Sequence, residues 1–177
     1  MKKLKLFLTL LILTVGLTIV GCESPTSIND PQEFLLNDAI LKKLVIGQFF
    51  AGGKIFFKGQ NFVLIADISD LVPQKNWTDA KIACREKGKG WILPDIEQLK
   101  LLYKNKSIVG NFADNVIWSI YWSSSLPDGP DSVWWAQIVD FERGPSPDAI
   151  SVTAKIIPSN VRAIKKIFIN YKISYDK

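Results

Sequence analysis

The chain has 177 residues, 47% hydrophobic and 22% charged, with 11 Gly and 9 Pro. That is the balance of a folded domain with one core, not of a disordered or collagenous chain. It holds no histidine and two cysteines, Cys22 and Cys84, which excludes Ser-His-Asp and Cys-His catalysis, imidazole metal sites, zinc clusters and a disulfide framework.

Lys2, Lys3 and Lys5 precede an uncharged run from Leu6 to Val20, rich in Leu, Ile, Val and Thr. The run is shorter than the roughly 20 residues that span a bilayer as a helix, and it fits the apolar region of a secretory signal peptide. Ile19-Val20-Gly21-Cys22 then resembles the lipobox of bacterial lipoproteins. The resemblance implies a diacylglyceryl group on the Cys22 thiol, cleavage before it, and a membrane partner held through lipid, each buried methylene contributing ~0.8 kcal/mol. A single membrane anchor with Cys22 incidental fits less well, because basic start, short apolar run, small residue and cysteine occur in that order.

Residues 1–21 carry three lysines and no acid, so the remainder has 19 basic against 17 acidic residues, net +2. That gives little support to a nucleic-acid footprint. The pairs Lys104/Lys106 and Lys165/Lys166 read as solvated surface.

Residues 22–29 form a short polar tether, and residues 30–50 a helix with its lead-out. Asp30 is the cap, Pro31 the first helical residue and Glu33 the third, with the helix running to about Leu44. Gly52-Gly53 breaks the chain. Residues 54–57 and 62–66 read as strands around the turn Lys58-Gly59-Gln60-Asn61. Asn76 opens a helix with Trp77, Ala80, Ala83 and Cys84 on one face, ended by Gly88 and Gly90. After Pro94 a second helix begins, with Asp95 as cap and Gln98 completing a capping box, and with Leu99, Leu102 and Tyr103 as its buried stripe. Residues 121–125 and 132–141 read as strands separated by the turn-forming loop 126–131. A second turn-rich loop covers 142–148, and 161–164 with 167–169 close the sheet.

The order of these pieces carries a resemblance. Gly52-Gly53-Lys54-Ile55-Phe56-Phe57, the Trp77 helix, Trp91-Ile92-Leu93-Pro94-Asp95, Tyr121-Trp122-Ser123-Ser124-Ser125, Trp134 to Phe141 and Val161-Arg162-Ala163-Ile164 together resemble the Lcl C-terminal domain family, named for a collagen-like bacterial surface adhesin. Ile92 stands where Arg or Phe is common and Asp95 where Ser or Thr is. Pro145 and Pro147 replace a Gly/Asn-rich segment. The resemblance spans about two thirds of the chain. It implies an α+β, C-type-lectin-like fold over residues 51–168, two helices flanking small twisted antiparallel sheets with long loops, followed by a tail at 169–177. It further implies a secreted or surface-attached protein, the named adhesin's domain being associated with sulfated glycosaminoglycans.

Trp77, Trp91 and Trp122 lie inside motifs and read as core. Trp134 and Trp135 are adjacent on an expected strand, so their indoles point to opposite faces. Either one is core and the other exposed, or loops seal both. An exposed indole beside polar groups offers a flat face to a sugar or an anchor to a protein. Asp128 and Asp131 in the neighbouring loop, with Arg143 in the next, complete the candidate ligand surface. Asp128, Asp131 and Asp140 hold oxygens suited to Ca²⁺, but the glutamate-proline-asparagine and tryptophan-asparagine-aspartate patterns of calcium-dependent lectins are missing, and turn formation explains these aspartates more simply. Cys84 reads as a buried small hydrophobe. Asp95 and Glu97 serve a helix start, not paired-carboxylate hydrolysis. The formylglycine-generating enzymes, which are related by fold, need a cysteine pair that the mature domain lacks. No cofactor is implied. The expectation is a non-enzymatic, lipid-anchored envelope protein binding a glycan or protein ligand. The alternative is an assembly lipoprotein that contacts another envelope component.

Overall fold

The computed structural model describes residues 38–113, 119–143 and 150–168. The expected signal segment, Cys22, the tether, the cap at Asp30, the loop 144–149 and the tail beyond Phe168 lie outside them. Among the described residues, no helix is long and apolar enough to cross a membrane.

Two antiparallel sheets organise the described residues. The first has strands β1 (Phe49–Phe50), β2 (Gly53–Lys58), β3 (Phe62–Ala66), β8 (Ile164–Phe168) and β4 (Trp91–Ile92), in that spatial order. The second orders β5 (Ile120–Trp122), β6 (Trp135–Asp140) and β7 (Ile150–Ala154). Among the described residues, four α-helices accompany them: α1 (Asp38–Lys43), α2 (Trp77–Glu86), α3 (Ile96–Lys104) and the short α4 (Lys106–Val109). The expected α+β class, with two principal helices beside small antiparallel sheets, is the class observed.

The uninterrupted apolar run of β3 has a direct cause: both faces of the first sheet are covered. Val63 and Ile65 pack with Ala80 and Cys84 of α2, while Leu64 and Ala66 pack with Leu99 and Leu102 of α3 and Val109 of α4. Ile55 and Phe56 divide in the same way, and a register shift between Ile55 and Phe57 bends β2 over these two layers. Gly53 is required at its place, since a Cβ there would lie 2.2 Å from the Ala66 carbonyl oxygen.

Both helix starts follow from their caps. Asn76 Oδ1 accepts from the Asp79 amide at 2.9 Å, and Asp95 and Gln98 form the expected capping box, with bonds of 2.7 and 2.9 Å. The serine run ties the second sheet to the start of α3. Ser125 Oγ accepts from the Ile96 amide at 3.0 Å, the Ser124 amide donates to the Pro94 carbonyl at 2.7 Å, and Ser123 Oγ donates to the Gln137 carbonyl at 2.9 Å.

Several expected boundaries move. The strand expected over 121–125 is Ile120–Trp122, because the serines that follow spend their polar groups on turns and on α3. The strand expected over 132–141 begins only at Trp135, since Pro130–Val133 form a 3₁₀ turn with proline at its start. Residues 161–163 are buried but outside any strand. Their apolarity reflects enclosure between crossing segments, with Asp67 and Leu71 amides donating to the Ala163 and Val161 carbonyls at 2.9 Å each. Of the helix expected to start at Asp30, Asp38–Lys43 is described. Strand β7 was not foreseen.

Candidate ligand-binding surface

The 3₁₀ turn sets the geometry of the tryptophan pair. Trp134 closes it with helical backbone angles (φ −103°, ψ −23°), its amide donating to the Asp131 carbonyl at 3.0 Å. It therefore stands outside the strand, and the expected alternation of adjacent indoles does not apply. Both are accessible, Trp134 at 72% and Trp135 at 39%. In the β6–β7 register, Trp135 faces Ala154 and Gln137 faces Val152. Trp135, Gln137 and the exposed Val152 thus share one face of the second sheet, with Val133 and Leu126 exposed on the loop beside it.

Lys155 holds this loop in place. Its Nζ donates to the Ser132 and Val133 carbonyls at 2.7 and 3.2 Å, and its amide donates to the Trp134 carbonyl at 2.9 Å. The same ammonium lies 4.5 Å from the Trp77 ring centroid, and Lys81 Nζ lies 4.1 Å from it. The Trp77 indole N–H donates to the Ser123 carbonyl at 2.8 Å, so this half-buried ring is shared between core and surface. Trp91 and Trp122 are buried, as expected.

Asp128 and Asp131 are exposed on the loop that leads to Trp134. Asp140 and Arg143 sit elsewhere. Asp140 ends β6 and pairs with Arg143 Nε at 3.3 Å. By strand rise this pair is about 16 Å from Trp135, so Arg143 does not join the tryptophan surface. Among the described residues, no group of three or more His, Cys, Asp or Glu side chains is placed to hold a metal ion.

Three cavities lie away from Trp134 and Trp135. One of about 400 Å³ is bordered by Lys106, Asn111, Phe112, Ser119 and Phe141. A second of about 450 Å³ runs between Asn76, Asp79, Ile82 and Glu86 on one side and Ile156 and Pro158 on the other. A third of about 230 Å³ is lined by Lys81, Arg85, Ile92, Leu93 and Ser124.

The polar centre is a network that the motifs did not disclose. Arg162, 1% exposed, donates through Nε to Asp70 Oδ1 at 2.7 Å, through Nη1 to the Asp67 and Gly110 carbonyls at 3.0 and 3.2 Å, and through Nη2 to the Asn111 carbonyl. Tyr121 Oη donates to Asp70 Oδ2 at 2.6 Å and accepts from the Ala113 amide. Burial, reinforced by the Asp70 carboxylate, pushes the Tyr121 hydroxyl well above its ordinary pKa. A single arginine between Val161 and Ala163 in an apolar stretch was the available signal. Nearby, Lys87 Nζ approaches the buried Asp67 Oδ2 at 2.6 Å as a charge, off the hydrogen-bond direction. Burial, with a smaller contribution from Asp67, pushes the Cys84 thiol up to about 12. That is the inert buried cysteine expected from its helical face.

No family model matches the chain, so the Lcl-type resemblance has no such match behind it. No curated protein matches it either. Among solved structures the chain is similar to EMS16, an antagonist of the collagen receptor integrin α2β1, over 68% of this chain and 99% of that one, with 17% identity and a TM-score of 0.37.

Proposed function

We propose that this chain is a non-enzymatic binding module, held at the cell envelope by lipid on Cys22, that takes a glycan or protein ligand on the surface formed by Trp134, Trp135, Gln137 and Val152, with Asp128 and Asp131 at its edge. The observation that carries the reading is the simultaneous exposure of two adjacent indoles, Trp134 on a loop fixed by Lys155 and Trp135 at the start of β6. Neighbouring exposed apolar side chains form the kind of patch that marks an interaction site, and rigid aromatic anchors lose little entropy on contact. None of the three cavities described above is lined by Trp134 or Trp135. That suits stacking against a sugar ring or docking against another protein more than enclosing a small substrate.

A second reading, a fixed structural role in the envelope, is favoured by the separate apolar rim at the α2 cavity, where Ile156 is 79% and Ile82 44% exposed. The deciding experiment is a glycan and envelope-protein array probed with the purified chain, its Trp134→Ala and Trp135→Ala variants, and an Ile156→Ser variant. Signal lost with the tryptophan variants alone supports ligand binding there, and signal lost only with Ile156→Ser supports the structural role. For the anchor, labelled palmitate incorporated by the wild type and not by Cys22→Ser is the expected result. Equal labelling of both removes it.

A further inference from the structure

The cavity of about 230 Å³ beside α2 is lined by Lys81, Arg85, Ile92, Leu93 and Ser124. We propose that it is a second site, which binds an oxyanion (carboxylate, sulfate or phosphate) carried on a small ring. It is separate from the tryptophan surface and does not depend on that reading.

Charge is the first argument. Lys81 and Arg85 lie one helical turn apart on the same side of α2, and like charges at that spacing weaken a helix. Among the described residues, neither belongs to an ion pair, whereas Lys87, Lys100, Arg143 and Arg162 each face a carboxylate. The acids of α2 look elsewhere: Asp79 and Glu86 line the cavity of about 450 Å³, and Asp79 Oδ2 accepts from Asn76 Nδ2 at 2.7 Å. Positive charge thus collects around a partly enclosed space without internal compensation.

Shape is the second argument. One water occupies about 30 Å³ in the liquid, so the cavity has room for several waters, or for one oxyanion and part of a ring. It is smaller than the roughly 300 Å³ at which sites for drug-sized ligands begin. Arginine offers a planar fork to an oxyanion and lysine a point charge. Ser124 adds a hydroxyl on backbone anchored by its amide's 2.7 Å bond to the Pro94 carbonyl. Leu93 and the half-exposed Ile92 give an apolar wall for the carbon face of a ring.

The test is a titration of the isotope-labelled full chain, followed by amide chemical shifts, at constant ionic strength. The probes are glucuronate, sulfate and phosphate, with glucose and chloride as controls. Saturable shifts at the Ser124 and Leu93 amides with an oxyanion, and not with glucose or chloride, are expected. A stronger response to phosphate than to glucuronate assigns a phosphoryl carrier, and the reverse order a carboxylated sugar. Lys81→Glu should weaken the response at least about tenfold with little change in Tm, because the helical pair a glutamate forms one turn before Arg85 offsets the lost contact with the Trp77 ring. Arg85→Gln, at an exposed position, serves as the second variant and should also weaken the response. The proposal is overturned if no oxyanion gives a saturable shift, if chloride reproduces it, or if it persists in both variants.

Discussion

Replacing Arg162 by Lys tests whether the buried guanidinium is the pin of the fold. The arginine serves four acceptors from one planar group: Asp70 Oδ1 and the carbonyls of Asp67, Gly110 and Asn111. It also lies 3.9 Å from the Phe112 ring centroid. A lysine ends in one nitrogen and cannot reach carbonyls spread around the rim of a guanidinium. At least two acceptors then lose a charge-assisted bond worth about 1.5–3 kcal/mol each, and breaking a buried pair costs about 3–5 kcal/mol in total. At about 4 °C per kcal/mol for a domain of this size, Arg162→Lys should lower Tm by roughly 12–20 °C in a thermal melt followed by near-ultraviolet circular dichroism. The Ala113 amide, which donates to Tyr121 Oη and Asp70 Oδ2 at 2.6 and 3.0 Å, should exchange its hydrogen faster in the variant. A fall of less than about 4 °C, with Ala113 exchange unchanged, would show that the network is incidental to stability.

Three further outcomes are expected. In urea unfolding, Trp134→Ala should change stability by no more than about 0.5 kcal/mol, as an exposed position, whereas Trp122→Ala, at a fully buried site, should cost about 3–5 kcal/mol. Cys84 should resist a thiol reagent at pH 8 until the protein is unfolded, and its alkaline linkage has a defined sign. The thiol titrates near 9.0 unfolded and about 12 folded, so its contribution is complete below pH 9 and falls by about 1.4 kcal/mol per pH unit between those values. Urea titrations from pH 8 to 11 should show a shallower decline for Cys84→Ala, with the remaining alkaline slope coming from Tyr121. Asp95→Ala should lose about 1 kcal/mol through the capping box, and an Asp95→Asn variant should recover much of it.

What sequence reading captured was local chemistry. Asn76, Asp95 and Gln98 place both helix starts because a cap is decided by side chains within three residues of the amides they serve. The β2–β3 hairpin follows from two apolar runs around Lys58–Asn61, with the Gly59 amide closing the turn on the Phe62 carbonyl at 2.8 Å. Where enclosure comes from distant segments, the pattern misleads. Val161 and Ala163 look like a strand because burial alone makes them apolar, and Ser123–Ser125 look extended although the Ser123 and Ser125 hydroxyls and the Ser124 amide are committed to neighbours. The tryptophan pair stands out in the sequence, but Trp134 lies outside the expected strand because Pro130 starts a 3₁₀ turn. The cationic cavity was missed because Ser124 and Leu93 reach Lys81 through tertiary folding. The spacing of Lys81 and Arg85 was legible, without anything in the linear chain to show what they faced.

The residues that make the surface adhesive also make it stiff, and this decides how a loop can serve as a docking face. An exposed indole on a mobile loop would lose much of its contact energy to ordering. Here the 3₁₀ turn leaves the chain between Ser132 and Trp134 with three carbonyls, and Lys155 engages all of them through its ammonium and its amide. That ammonium in turn rests against Trp77, whose indole is fixed to the Ser123 carbonyl and whose amide donates to the Lys155 carbonyl at 2.9 Å. The order of the outer loop is therefore inherited from α2 and the serine segment, through one lysine and one tryptophan. Stiffness at the tryptophan surface thus depends on Trp77, which gives a physical reason for that ring to remain half-buried between the core and the outer loop.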